Sequence, residues 1–258
     1  MHGGPIQNKQ LHFNLNARLK GGWGVGAGYF LETFGYDPSI YSSYGLRQSD
    51  GSVTPFTGGG GVALPNRDYA LFANTPSWKR FDFNFFALAG LNDENYAEWA
   101  SGRILFLNAN GNIRPTDRLR INLSYNDSRV YRPTDGSRVL LQDVAASTVE
   151  YQLSRSFQLR VIGQYSINAR DSLRDDSRSN LPIVLRDPST GTYSPTKPYD
   201  NHQMQLNFLF TYLPNPGTVI YLGYGAVAQR PNDVGRPQLG VVQNDLFLKL
   251  SYLRRRKS

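Results

Sequence analysis

The sequence predicts an all-β fold: a transmembrane antiparallel up-and-down β-barrel with about eleven strands in this chain. Three observations predict it. Apolar residues recur with period two, short and long connections alternate, and aromatic residues gather beside the short connections.

The first strand sets the pattern. Leu11, Phe13, Leu15, Ala17 and Leu19 are apolar, while His12, Asn14, Asn16, Arg18 and Lys20 between them are polar. A helix would scatter these residues around its surface, whereas a strand puts them on two faces. Gly21-Gly22 then supplies a tight turn. The second strand carries Trp23, Val25, Ala27, Tyr29 and Leu31 on one face, with Gly24, Gly26, Gly28 and Glu32 on the other. A short strand is expected at residues 69–73. Alternation returns through Phe81, Phe83 and Phe85, then Leu105, Leu107 and Ala109, then Ile121, Leu123 and Tyr125. It continues through Val149, Tyr151 and Leu153, and through Phe157, Leu159, Val161 and Tyr165. Met204, Leu206, Phe208, Phe210 and Tyr212 form one further apolar row, and Leu246, Leu248, Leu250 and Tyr252 another. Residues 218–229 are apolar on both faces, so that strand is placed by its turn.

Short connections fall at residues 20–22, 75–79, 114–117, 154–156 and 213–217. Long ones, rich in Gly, Pro, Asp and Arg, fall at 35–68, 130–142, 170–200 and 230–243, with a shorter one near 91–96. Short turns at one end and long loops at the other are the hairpin pattern of outer-membrane barrels. Trp23, Trp78, Phe157, Tyr212 and Tyr252 lie near the short-turn end, where an interface belt would sit.

Composition narrows the class. The chain has 258 residues, no cysteine, 16 Tyr, 14 Phe and 25 Gly, which excludes disulfide scaffolds and zinc ribbons and suits many strands joined by turns. No apolar run approaches the roughly 18 residues of a membrane-spanning helix. The net charge of +8 raises the question of nucleic acid, but the basic residues are scattered and their one cluster is the tail Arg254-Arg255-Arg256-Lys257. No nucleic-acid partner is expected. The expected partners are outer-membrane lipid and the barrel-assembly machinery.

Little in the sequence points to catalysis. Gly58–Gly61 is followed by no Lys-Ser/Thr and reads as a flexible surface loop rather than a phosphate cradle. His2, His12 and His202 stand at unrelated positions, so neither a metal nor a cofactor is expected. Tyr199-Asp200-Asn201-His202, near the outer rim, supports a rival reading as a barrel-embedded hydrolase. A soluble all-β binding module is a third reading. A basic set is the more informative constellation: Arg18, Lys20, Arg114, Arg118, Arg120, Arg160 and Lys249 fall on the polar face or at its short-turn end. A lumen lined by one sign would favour anions. The alternative is that these charges are solvated, or pair with loop carboxylates such as Asp171, Asp175 and Asp176.

Strand parity predicts a part of a larger barrel. Single-chain bacterial barrels have an even number of strands, and about eleven are counted here. Met1 is followed by His2-Gly3-Gly4-Pro5, without the basic and apolar regions of an export signal. Further strands and a signal peptide are therefore expected upstream.

Nearly the whole chain resembles the C-terminal barrel region of bacterial outer-membrane proteins that carry an N-terminal sandwich similar to carbohydrate-binding family 9 modules. The resemblance rests on the Asn-rich strand at 10–19 followed by Gly22-Trp23, on Pro76-Ser77-Trp78-Lys79-Arg80-Phe81, and on Ile113-Arg114-Pro115-Thr116-Asp117-Arg118-Leu119. The turn Pro214-Asn215-Pro216-Gly217-Thr218 and the ending Asn244-Asp245-Leu246-Phe247-Leu248 add to it. Gly58–Gly61 stands where a Gly-Gly-Pro segment would be expected. The resemblance implies an outer-membrane location, and it implies that any carbohydrate binding resides in the sandwich, outside this chain.

Overall fold

A computed structural model of the chain describes residues 8–61, 63–215, 217–230 and 239–252. The basic tail at 254–257, His2, Pro216 and most of the connection at 230–243 lie outside the described residues. The strands are β1 (Asn8–Arg18), β2 (Gly24–Phe34), β3 (Tyr44–Arg47), β4 (Val53–Pro55), β5 (Leu64–Asn74), β6 (Phe81–Asn95), β7 (Ala100–Ile113), β8 (Leu119–Tyr131), β9 (Arg138–Gln152), β10 (Phe157–Arg170), β11 (Ile183–Arg186), β12 (Tyr193–Pro195), β13 (Tyr199–Asn215), β14 (Thr218–Arg230) and β15 (Gly240–Tyr252). Eleven of them form one antiparallel up-and-down sheet of barrel type, in the order β1-β2-β5-β6-β7-β8-β9-β10-β13-β14-β15. The expected strand at 69–73 is longer, because β5 begins at Leu64.

Period two divides this sheet into two faces, and the register keeps them separate. One row runs Leu15–Ala27–Leu71–Ala87–Leu107 across five strands. The adjacent row on the other face runs Asn16–Gly26–Phe72–Phe86–Asn108–Asn126. Exposure tells which face is inner. On β5, Tyr69 and Leu71 are 50% and 59% exposed, while Asp68 and Ala70 between them are 4% and 1% exposed. The apolar face is therefore the outer one. The inner face is mixed rather than purely polar, since phenyl rings sit among its amides. Gly26 makes room for one of them: a Cβ there would stand 2.1 Å from the Phe72 ring.

The apolar outer face has two ends. Toward the short turns it finishes in aromatics. Toward the long connections it stops at Lys9, Arg67, Arg103, Asp127, Asp143, His202 and Arg230, on β1, β5, β7, β8, β9, β13 and β14. On β13 the run from Tyr212 to His202 covers about ten steps of about 3.3 Å, which at a tilt of roughly 40° is about 25 Å, the height of an outer-membrane apolar band.

The long connections are not the polar surface loops expected from their composition. Those at 35–63 and 171–198 pair with each other in a second sheet, β12-β11-β3-β4, in which Ile183 lies opposite Leu46. With two shorter connections, 96–99 and 132–137, they enclose the main buried cluster of the described residues: Phe34, Tyr41, Phe56, Leu64, Trp99, Val130, Val139, Leu173 and Ile183. Four hairpin ends thus meet in one cap. The expected loop at 130–142 shrinks to 132–137, and the one near 91–96 moves to 96–99, because the flanking strands run past the apolar band into the cap. Gly58–Gly61 is a surface turn anchored at its first residue, with Gly59, Gly60 and Gly61 exposed. All four glycines have positive φ, between 56° and 82°, and Gly58 is buried so closely against Tyr36 and Trp99 that a Cβ would clash with both rings.

Candidate functional site

The inner face is the candidate site, bounded by the cap at one end and the short turns at the other. Near the short turns, Arg114 donates from Nη2 to Asp82 Oδ2 at 2.6 Å and to the Trp78 carbonyl at 3.2 Å. Arg160 Nε lies 3.4 Å from Glu150 Oε1, and Arg120 stands opposite Glu150 in register. Arg18 and Lys249 project from β1 and β15 with inner-face parity, while Lys20 and Arg118 lie in the short connections. The structure thus puts Arg18, Arg114, Arg120, Arg160 and Lys249 toward one end of one face. Two of them are already matched by carboxylates of that face.

Above them runs an amide ladder. Asn110 Nδ2 donates to Asn108 Oδ1 at 2.7 Å, Asn108 in turn bonds Asn126, and Asn112 Nδ2 donates to Asp82 Oδ1 at 2.5 Å. Toward the cap the sign changes. Glu32, Asp68 and Asp93 face inward, Asn66 Nδ2 donates to Asp68 Oδ2 at 3.0 Å, and His12 Nε2 lies 2.5 Å from Glu32 Oε1. The lumen face is not lined by one sign. This acidic group was missed in the sequence because Asp68, Asp93 and Glu32 come from three separate strands, and a bulge after Gly90 shifts the parity that would have placed Asp93. Among the described residues no group of three His, Cys, Asp or Glu is placed to hold a metal ion.

The loop carboxylates do not serve the basic inner residues. Asp171 accepts from Arg132 Nη1 at 2.6 Å, Asp175 accepts from Arg178 Nε at 2.5 Å, and Asp176 bonds Thr134. All three are spent inside the cap. Its centre is the ion pair of Arg132 and Glu98, both with fully buried side chains, in which Arg132 Nη2 donates to Glu98 Oε1 at 2.5 Å. Burial works against the charged guanidinium, but its bonds to Glu98 and Asp171 outweigh this and hold the Arg132 pKa above its ordinary value. Arg178 donates to the carbonyls of Glu98 and Trp99 and stacks 5.6 Å over Phe56.

Four of the aromatics expected at an interface form two groups at the short-turn end. Trp23 and Trp78 meet edge to face at 5.3 Å, with Phe81 4.4 Å from Trp78, and Phe157 stacks on Tyr212 at 4.4 Å. Tyr252 stands apart at the end of β15, 70% exposed. His202 lies on the outer face. Its Nδ1 bonds Tyr165 Oη at 2.5 Å and its Nε2 lies 3.1 Å from Asp200 Oδ1, while Asp200 also holds Arg230 at 2.6 Å. Both ring nitrogens are occupied, by Tyr165 and Asp200.

No family model and no curated protein match this sequence. Among solved structures, the chain superimposes on the NanC porin at a TM-score of 0.33 and 9% identity, covering 96% of this chain and 94% of that one. It also superimposes on the toluene transporter TodX of Pseudomonas putida at a TM-score of 0.30 and 11% identity, covering 96% and 77%. Superpositions this loose carry no argument about function.

Proposed function

We propose that the chain forms the wall of a bacterial outer-membrane β-barrel, part of a larger barrel, with a structural or transport-related role. One observation carries this: an outer face apolar from strand to strand, about 25 Å tall, with aromatic rings at one rim and charged residues at the other. In water that face would be a large aggregating surface; in a bilayer it matches the hydrocarbon. The inner amides and charges are then the lining, and outer-membrane lipid and the barrel-assembly machinery are the partners. The resemblance to barrels with a family 9-like sandwich belongs to this proposal, and it assigns any carbohydrate binding to that sandwich. The hydrolase reading loses support from the outward, fully bonded His202.

The test compares neighbours on one strand. Ile121 faces outward in register with Val149, and Asn122 inward in register with Thr148. Charge on the lipid face costs roughly 2–4 kcal/mol near the midplane, while lumen changes cost little. Refolding from urea should need micelles. Ile121→Arg should block it and Asn122→Arg should not. Equal behaviour of the two variants, or a monodisperse monomer without detergent, would overturn the proposal.

A further inference from the structure

The charged rim of the outer face is not uniform. On the β8–β14 side its cations are matched: Arg129 Nε lies 2.9 Å from Asp127, and Arg230 Nη2 lies 2.6 Å from Asp200. On the β1–β7 side, Lys9, Arg67 and Arg103 have no carboxylate within ion-pair distance among the described residues. Arg67 is in register with Asn92, and Arg103 lies across the bulge that contains Asn92, so the two arginines flank one position from strands roughly 10 Å apart. Lys9 and Arg67 border a groove of about 260 Å³ whose apolar walls include Leu11 and Leu31. Glu32 also touches the groove, but His12 and Asn66 engage its carboxylate. One row below Arg67, an aromatic ladder runs across three strands: Phe13 to Tyr29 at 6.5 Å and Tyr29 to Tyr69 at 5.0 Å.

Unmatched cations directly above an exposed aromatic ladder are complementary to an amphiphile with an anionic head. Guanidinium forks suit phosphate oxygens; among the described residues neither Arg67 nor Arg103 pairs with a carboxylate, although Arg103 already donates from Nη2 to the Pro133 carbonyl at 3.3 Å. We propose that this groove seats the phosphate-bearing headgroup of an outer-leaflet lipid, with acyl chains lying along Phe13, Tyr29 and Tyr69. The proposal rests on the membrane reading above and adds a defined lipid contact to it.

The experiment places the protein in phosphatidylcholine nanodiscs doped with diphosphorylated lipid A and measures retained lipid by native mass spectrometry. The protein should retain the diphosphorylated lipid but not its dephosphorylated form. The combined variant Lys9→Gln, Arg67→Gln, Arg103→Gln should reduce retention by about tenfold or more, as expected for loss of charge-assisted bonds. Arg67→Lys keeps the charge and loses the fork, so it should fold like the parent and fall in between. Excess inorganic phosphate should not displace the lipid; displacement would mean a free-anion site and would overturn the assignment. Retention unchanged in both variants would overturn it as well. Failure of the parent protein to enter the nanodiscs would remove the membrane reading, and this site with it. Insertion without lipid retention would remove the headgroup site alone.

Discussion

Arg132 shows what a single side chain does in this molecule. Its guanidinium ties Glu98, Asp171 and the Ser172 carbonyl together beneath the cap, so three connections share one charge. Removing one partner of a buried pair strands the other, at a cost of about 3–5 kcal/mol, whereas replacing both with apolar groups is close to neutral. Arg132→Met should therefore lower the unfolding midpoint of the cap, followed by Trp99 fluorescence, and Arg132→Met with Glu98→Leu should recover much of the loss. No recovery would mean that the bonds to Asp171 and Ser172 carry the effect. Nothing local marks Arg132 in the sequence. It precedes Pro133 in an apparent turn, like several other arginines near loops, and its importance comes from partners 34 and 39 residues away. Face assignments at Ile121 and Asn122, by contrast, were legible because period two needs only neighbouring residues.

At the scale of elements, the main strands and the cap differ in how they are specified. Most long strands carry their own alternation, and each one's partner is the next long strand in the chain, so the eleven-strand order could be read directly, although β14 was placed by its turn and β5 begins earlier than its alternation suggested. The cap strands β3, β4, β11 and β12 are three or four residues long and pair across distant connections. Their residues looked like loop composition, although Tyr36, Tyr41, Phe56, Leu173 and Ile183 were a visible excess of bulk for solvated loops. The cap also has a pH limit. Burial first, and then the carboxylates of Glu94 and Asp93, push the Tyr96 phenol up to about 12, and burial raises Tyr41, whose hydroxyl donates to the Tyr96 carbonyl at 2.7 Å. A raised folded-state pKa contributes stability that is complete below the unfolded value of 10.0 and is lost as pH rises through the folded one. The cap should loosen between about pH 10 and 12, with tyrosinate absorbance and Trp99 fluorescence changing together while the long strands keep their circular dichroism. A cap indifferent to that range would mean that these phenols are already wet.

At the scale of the whole molecule, the main sheet has eleven strands among the described residues, an odd number. β1 and β15 are the edges of the sheet, and in an up-and-down order of eleven they run in the same direction. Sealing them together would make a parallel seam. A second copy turned about the membrane normal keeps every strand direction, so it would present the same mismatch. Within the larger barrel proposed above, an odd number of additional strands would restore antiparallel pairing on both sides. Bare edges in lipid leave N–H and C=O groups unsatisfied at several kcal/mol each. Amide hydrogen exchange of this chain in micelles should therefore be fast along β1 and β15 and slow along β7 to β10; protection of both edges equal to the centre would show that the sheet closes by itself. Parity could be read from the sequence because hairpins count themselves. What an edge strand pairs with could not, because edge strands carry no mark of a partner beyond the alternation common to all.

The cap also has a direction in time. Its core draws on four hairpins at the far side of the membrane from the short turns, so it can be completed only after the polar connections of all four have been carried across. Long-range contacts of this kind form late, once the intervening chain is already ordered. A core made last, on the side the chain cannot recross without exposing Trp99 and dragging the buried Arg132–Glu98 pair through hydrocarbon, acts as a ratchet. On the membrane reading proposed above, insertion would be easier to complete than to reverse, and the closing of these loops would hold the molecule's orientation.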